Sequence, residues 1–567
     1  MLKTLISLCL TTLLIQTTLF AAPLPITTTP HASHVLINGN IYTANADQPY
    51  AESIAIRGGK IMAVGPFDQI KTTIGKKTIV TDLKGKQVLP GFIDNHNHIF
   101  EAASEAGGNC ELSQEATPSE QIPYLQDCFD NTKPNQWVIG WGHTIQATLS
   151  EEEDTPLEII DRIFPDRPVI IMEQTSHSMW VNSIALALAG ITLSTPDPQG
   201  GKIMKTEGAD ALLGILIDNS GDIVMELAWN SLKNKFTKSY DGLVNGLHEV
   251  AKNGITTVGD GRLYWKRGWY DVWKAVEADG QLTARVSLRP WIYPHVSQQE
   301  QLTFLKSTYN SDKNALLIVD QVKMYTDGII VNGTAKTLAP YQFTYFPESP
   351  YGLNYIQPKA MSNWLTTLAT LGYGAHIHAI GDGGVRDALN AIEFARKSGS
   401  PHHYSMTHLE MINPSDYSRF TSLSVDADFQ IGSDYIVKND HRWAYELIGE
   451  KRSHKLIPLG AIYKTGANIT LSSDWNVNPL SPLAAIANAV ALKDKGLPNV
   501  QTAIDAYTVN AARALGLASV TGSLEVGKSA DIVVLNHTIV GETPKSIRKS
   551  SVIWTLFQGE TVFKKRL

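Results

Sequence analysis

"GSLEVGKS", Gly522 to Ser529, decides between two α/β architectures for this 567-residue chain. Its letters satisfy the phosphate-loop pattern G-x-x-x-x-G-K-[ST], in which backbone N–H groups cradle phosphates between a preceding strand and a following helix. The flanks run the other way. Helix-like "TAIDAYTVNAARALGL" precedes Gly522 and strand-like "ADIVVL" follows Ser529. No helix N-terminus follows to receive a phosphate. The segment reads as a turn into a β-rich unit, and no nucleotide is expected.

The β-rich unit draws on both ends of the chain. "HVLINGNIYTA" (34–44), "AESIAIRGGKIMAVG" (51–65) and "KTIVTDLKGKQVLPG" (77–91) alternate apolar residues around Asn-Gly, Gly-Gly and Lys-Gly turns. "DIVVLN" and "SVIWTLFQGETVFK" repeat the style after residue 530. Between them lie eight short apolar runs: "GFID" (91–94), "ITTVGD" (255–260), "ARVSLRPWIY" (284–293), "LLIVDQVKMYTDG" (316–328), "YGAHIHAIGD" (373–382), "HYSMTHLE" (403–410), "LSVDADFQ" (423–430) and "NITLSSDW" (468–475). Helical stretches such as 358–371, 384–398 and 482–493 separate them. Eight βα repeats predict an α/β fold, a (β/α)8 TIM barrel with functional residues at the C-terminal strand ends. A small β-sandwich from residues 22–89 and 520–567 would accompany a barrel over 90–519. The first connection is too long for a plain βα unit. With "PVIIMEQTSH", a "GGKIMK" hairpin and "NSGDIVMELAWNSLK", it predicts a lid and substrate platform at about 100–240.

Bulk properties narrow the partners. With 43% hydrophobic and 18% charged residues the composition is that of a globular protein. A net charge of −7 gives no basic patch to attract nucleic acid. At the N-terminus Lys3 precedes sixteen uncharged residues, Leu5 to Phe20, and then Ala21. That is the build of a cleaved secretory signal over residues 1–21, predicting a secreted or periplasmic protein; the alternative is a membrane anchor, for which the stretch is short. After cleavage Cys110 and Cys128 remain, free to pair in an oxidising compartment or to stay as buried thiols. A small-molecule substrate is the expected partner, no membrane is expected after cleavage, and a homodimer is left open.

The strand ends carry the chemistry. His96 and His98 in "DNHNH" stand two apart on an extended segment, so both imidazoles face one side and can reach one ion. Lys323, His378, His408 and Asp474 follow on strands four, five, six and eight. Alone, each is as readily a structural residue. His143, His177 and Trp180 in the insertion, and Tyr325, Asp327 and Trp475 beside the strand ends, are further candidates for substrate contact.

Seven segments together, "LPGFIDNHNH", "KMYTDG", "HAIGD", "THLE", "SSDW", "YTVNAARALG" and "GSLEVGKSADIVVL", resemble the amidohydrolase superfamily, in the branch typified by N-substituted formamide deformylase. "WVIGWG", "PVIIMEQTSHSMWVNSIAL" and "TPDPQGGKI" resemble that branch's insertion. The resemblance implies one or two divalent metal ions, zinc being expected. His96 and His98 would bind the more buried ion. Lys323, as a carbamate, would bridge two ions, whereas an unmodified Lys323 implies one. His378 and His408 would bind the more exposed ion. Asp474 would touch the first ion and act as general acid/base. Asp382 would orient His378, and His177 in "SHSMWVNS" would face the site. After strand seven the chain has "FQIGSDY" (429–435) where relatives carry a Gln-Pro-x-His-like segment, so specificity does not transfer. The resemblance implies an exported hydrolase of a C–N bond in a small amide, N-formyl compound or cyclic amide. The alternatives are a lactone or ester hydrolase on the same centre and a non-catalytic binding protein.

Overall fold

The structure, a computed structural model, describes residues 31–103, 110–150, 153–438 and 441–565. The secretory signal expected over 1–21 lies outside the described residues. Among those described, no helix is long and apolar enough to cross a membrane.

The predicted βα core is present as two parallel arcs. One orders Leu317–Ile318, Arg285–Ser287, Ile255–Asp260 and Phe92–Asn97; the other runs Gln321–Tyr325, Gly374–Ala379, Tyr404–His408, Val425–Gln430 and Ile469–Ser472. Hydrogen bonds cross both seams. Asp474 N–H donates to His96 O (2.8 Å) and His98 N–H to Trp475 O (2.9 Å) on one side. Ile292 N–H donates to Lys323 O (3.0 Å) on the other. The run read as a single fourth strand is broken after Ile318: its first part pairs with one arc and its second with the other. Strands buried on both faces read as continuous apolar or small-residue runs, which is why 92–97, 255–260 and 374–379 are buried throughout.

The helices cover the arcs through amphipathic faces. Asp382–Lys397 buries Val385, Ala388, Leu389, Ile392 and Ala395, the i, i+3, i+4 stripe of a core-facing helix. Its first turn approaches closely enough that a Cβ at Gly384 would collide with the Asp327 carboxylate. The "HAIGDGG" glycines are therefore packing requirements.

Both chain ends meet in one sheet, ordered Glu560–Lys564, Val552–Phe557, Ile532–Leu535, Gln87–Pro90, Asn40–Tyr42 and Tyr50–Ala51. A four-stranded sheet of Lys60–Gly65, Ser53–Arg57, His34–Ile37 and Ile79–Asp82 shares an apolar core with it: Leu36, Ile54, Ile56, Val88, Ile532, Val534 and Leu556. The turn at 522–529 links the helix Val509–Ala514 to the strand Ile532–Leu535, the order its flanks predict. Lys528 folds back onto Ser523 Oγ (2.6 Å) and Glu525 Oε1 (2.7 Å). Ser529 Oγ donates to Asp531 Oδ1 (2.6 Å). Asp531 in turn holds Arg285 Nη1 at 3.0 Å, tying this turn to the parallel core.

The long first connection carries its own six-stranded sheet: Gly201–Lys205, Leu212–Asp218, Ser178–Val181, Val169–Glu173, Val138–His143 and Cys110–Glu111, in that order. Its separate core includes Ile160, Phe164, Val169, Ile171, Trp180, Ile215 and Ile217. A disulfide joins Cys110 on the edge strand to Cys128 in the helix Ile122–Asp130, Cα to Cα 5.1 Å.

Candidate metal centre

His96 and His98 leave the first parallel strand on the same side, as the two-residue period requires. Asp474 follows the last strand and faces both. His98 Nε2 lies 3.0 Å, and His96 Nε2 3.2 Å, from Asp474 Oδ1. One donor atom from each of the three falls within 4.8 Å of the others, and all three residues are buried. A side chain at Gly261 would strike the His98 ring, so this close approach needs glycine there.

The remaining strand ends close in from the other side. His408 Nδ1 lies 3.8 Å from Asp474 Oδ2. The His378 and His408 ring centres are 4.5 Å apart, and His408 stands 5.1 Å from His96. Lys323 Nζ, wholly buried, is 3.4 Å from His96 Nδ1. All six residues singled out in the sequence are thus brought together.

Charge and hydrogen bonding fit a cation at this place. Burial, reinforced by Lys323, holds His96 well below the ordinary histidine range; burial and His408 do the same to His378. His408 is pushed down to about 3 by burial. These three imidazoles are neutral and carry lone pairs. Burial alone would raise Asp474, but its contacts with the His96 and His98 imidazoles outweigh it and hold the carboxyl well below its ordinary range. Burial also drives Lys323 well below its ordinary value, against the pull of Asp474. His378 Nε2 faces Gly328 O at 3.1 Å, and its Nδ1 has no partner. His96 Nε2 touches Asp474 without hydrogen-bond alignment, and His98 Nδ1, 3.8 Å from Glu101 Oε1, makes no hydrogen bond. A buried unpaired polar atom costs about 1–3 kcal/mol, so imidazole nitrogens left without hydrogen bonds beside Asp474 suit ligation of a cation.

Sequence reasoning missed the residue beneath His96. His376 Nε2 sits 3.0 Å from His96 Nδ1, and His376 Nδ1 is 2.6 Å from Ser405 Oγ. Since His96 Nε2 is not aligned as a donor, the consistent assignment has His96 Nδ1–H donating to His376 and His376 Nδ1–H donating to Ser405. The signal was visible: His376 is two residues before His378, on the same strand face.

The other candidates divide. His177 lines a cavity of about 340 Å³ with His378, His408 and Asp474. Its Nδ1 lies 2.6 Å from Asp218 Oδ1, and its ring is 5.3 Å from that of His378. Adjacent strands of the insertion deliver both residues, so the insertion forms one wall of the cavity. Tyr325 stacks on His378 at 4.0 Å and accepts from Arg262 (3.0 Å). Trp475 is half-buried, and its carbonyl holds His98 N–H. Asp327 lies behind His378, 4.0 Å from its Nε2, and accepts from the N–H groups of Ile380, Gly381 and Lys336. It fixes the loop rather than facing the cavity, and burial raises it to about 7. Asp382 accepts from Leu338 N–H (2.8 Å); Asp327, not Asp382, stands beside His378. His143 and Trp180 are spent inside the insertion. His143 bonds Thr148 Oγ1 (2.9 Å) and Ile171 O (3.1 Å), while Trp180 donates to Pro156 O (3.0 Å). Neither lines the cavity. Glu410, which the sequence did not single out, does, and burial followed by the charge of Asp327 raises it to about 7.

The chain is similar to several known proteins. N-substituted formamide deformylase of Arthrobacter pascens is 25% identical over 543 residues, 93% of this chain and 97% of that protein. Protein LONG AFTER FAR-RED 3 of Arabidopsis thaliana is 28% identical over 557 residues, covering 94% and 92%. The crystal structure of an uncharacterized metal-dependent hydrolase from Pyrococcus horikoshii shares the fold at a TM-score of 0.70 and 23% identity, covering 90% of this chain and 99% of that one. The family model described as "Amidohydrolase family" matches residues 80–563, the arcs, the insertion and the closing strands alike. The chain belongs to the amidohydrolase family.

Proposed function

We propose that this protein is an exported metal-dependent hydrolase of a C–N bond in a small amide, N-formyl compound or cyclic amide. The convergence of His96, His98 and Asp474 within 4.8 Å, with unpaired imidazole nitrogens around it, carries the reading. The two arcs act as a closed (β/α)8 barrel over 90–519, lidded by about 100–240 and braced by a β-sandwich from 22–89 and 520–567. Residues 1–21 serve as a cleaved export signal.

His96, His98 and Asp474 would hold one ion, and His378 and His408 a second. Lys323, if its neutral amine added carbon dioxide and released a proton to form a carbamate, would offer oxygen ligands to both. When bound, such ions, zinc being expected, lower the pKa of a water toward neutrality and polarise the substrate carbonyl. Asp474 accepts the proton of the attacking water and returns it to the departing nitrogen, so that OH adds to the carbonyl carbon, H to the amine, and the C–N bond breaks. The cavity walls exclude bulk water, and His177, fixed by Asp218, hydrogen-bonds the substrate.

Metal analysis of protein purified without chelators should find one or two divalent ions per chain; none would overturn the reading. Amides, N-formyl amines, hydantoins and lactones should then be assayed with added Zn²⁺ or Mn²⁺. Turnover of lactones alone would replace C–N cleavage by ester chemistry. Turnover of nothing, with ligand binding retained, would favour a binding protein.

A further inference from the structure

The cavity beside the proposed metal centre holds one carboxyl group, Glu410, with no hydrogen-bond or ion-pair partner of its own among the described residues. Glu410 lies two residues beyond His408 and lines the cavity with His378, His408 and Asp474. Asp474 is enclosed by three imidazoles, but no hydrogen bond or ion pair is formed by the Glu410 side chain among the described residues. No lysine or arginine lines the wall among the described residues; its other polar groups include the uncharged Gln146, Gln174, Gln430 and Asn478. Tyr435 and Trp443 add aromatic faces.

The backbone aims this side chain deliberately. His408 (φ 76°) and Leu409 (φ 51°) both adopt the left-handed region that non-glycine residues avoid. They are held there by bonds on either side. Leu409 N–H donates to Ala379 O (3.1 Å), Ile457 N–H to Glu410 O (2.7 Å) and Met411 N–H to Ile380 O (2.9 Å). Strain of this kind persists where the surroundings over-determine it, and it clusters at ligand sites. Here one turn presents His408 and Glu410 to the same space.

We propose that Glu410 anchors a cationic arm of the substrate, so that the amide cleaved at the metal centre carries an ammonium or guanidinium group. This rests on the hydrolase reading. An acceptor that the protein leaves without a partner is compensated by a charged donor, and aromatic faces beside it favour the same sign of charge. An anionic arm would find no cationic side chain on this wall and would be disfavoured beside Glu410.

Three substrates of one length test the proposal: N-formyl-1,4-diaminobutane, N-formylpentylamine and N-formyl-5-aminopentanoate. A charged hydrogen bond predicts kcat/KM about ten- to hundredfold higher for the cation than for the neutral compound, and lower still for the anion. Glu410→Gln should collapse the cation-to-neutral ratio while keeping the wild-type metal content. A wild-type ratio near one, or a ratio unchanged by E410Q, overturns the proposal even though hydrolysis itself stands. Loss of metal in E410Q would make Glu410 a ligand and also overturn it. If none of the three is hydrolysed, the hydrolase reading is in question, and binding to the metal-free protein decides. Pentylammonium should bind at least about tenfold tighter than 1-pentanol, with the advantage lost in E410Q; equal binding overturns the proposal.

Discussion

The contact between His96 and His376 makes a prediction that separates a positioning role from a packing one. His96 can offer Nε2 to a metal ion only if its proton sits on Nδ1, and the 3.0 Å contact to His376 Nε2 is what holds it there. His376→Leu keeps volume and removes the acceptor, leaving a buried Nδ1–H unpaired. Losing such an orienting partner lowers metal affinity about 10–100-fold, or roughly 1.4–2.7 kcal/mol. That agrees with the ~1–3 kcal/mol cost of an unsatisfied buried donor. His376→Gln restores an acceptor and should recover part of the loss. The assay is competition with a chromophoric chelator at fixed pH, paired with guanidinium unfolding of metal-free protein to read stability separately. Lys323 Nζ, 3.4 Å from the same nitrogen, is the rival partner. If Lys323 set the tautomer, H376L would leave metal affinity unchanged with the fold intact, and the argument would be refuted. Equal loss in H376L and H376Q would refute it too, because packing and not hydrogen bonding would then be responsible.

Asp474→Asn should retain metal yet lower kcat by about 10²–10⁴-fold, the usual contribution of a general acid/base; undiminished turnover would assign the proton to another group. Cys110→Ser opens a bridge spanning 18 residues and should cost about 3 kcal/mol under oxidising conditions and nothing under reduction, as thermal melts would show. Burial lifts Asp426 from 3.8 to about 7, so the fold disfavours its ionised form. Stability is therefore full below pH 3.8 and declines as pH rises through 7, by roughly 4 kcal/mol at most and about 1–2 kcal/mol for a part-exposed carboxyl. Asp426→Asn keeps the acceptor for Asn468 (2.7 Å), and should raise the melting temperature at pH 8 more than at pH 5. Asp531→Ala strands Arg285 in the interior and should cost about 3–5 kcal/mol in denaturant titration.

The parallel strands and their ligands were legible because each rests on a local pattern. Short apolar runs mark strands buried on both faces, and the spacing of His96 and His98 fixes a shared side within one strand. The six ligand candidates could be assembled because strand ends in such a fold meet at one place. The insertion was harder. His143 and Trp180 share its segments with His177, and nothing local distinguishes a side chain bonded to Ile171 O or Pro156 O from one facing a cavity. That depends on how its six strands are ordered, a long-range property. Asp382 and Asp327 were exchanged for the same reason. The position in "HAIGD" suggests a neighbour of His378, but helix Asp382–Lys397 carries Asp382 to Leu338 while the loop after strand Gln321–Tyr325 brings Asp327 underneath. His376 was overlooked although period two pointed at it, because a histidine inside an apolar run reads as core.

The positions of these groups imply that chemistry and selectivity are separately adjustable. The proposed ligands project from strands whose backbones bond to neighbours on both sides, and beneath them Asp428 accepts from Thr407, Thr470, Ser472 and Gln430 at 2.6–2.9 Å. Such a fully bonded floor resists movement, so ligand geometry is set before any substrate arrives. The groups that would meet the substrate are carried elsewhere. His177 and Asp218 come from the insertion, Glu410 from a strained turn, and Tyr435 from the segment after strand Val425–Gln430. Each can change without disturbing a ligand strand. Substitutions at Glu410 or Tyr435 should therefore alter which amide is accepted and leave metal affinity intact, whereas substitutions at His376 or Asp428 should do the reverse. A variant of Asp428 that changed substrate preference at constant metal affinity would show that floor and walls are coupled, and the separation argued here would fail.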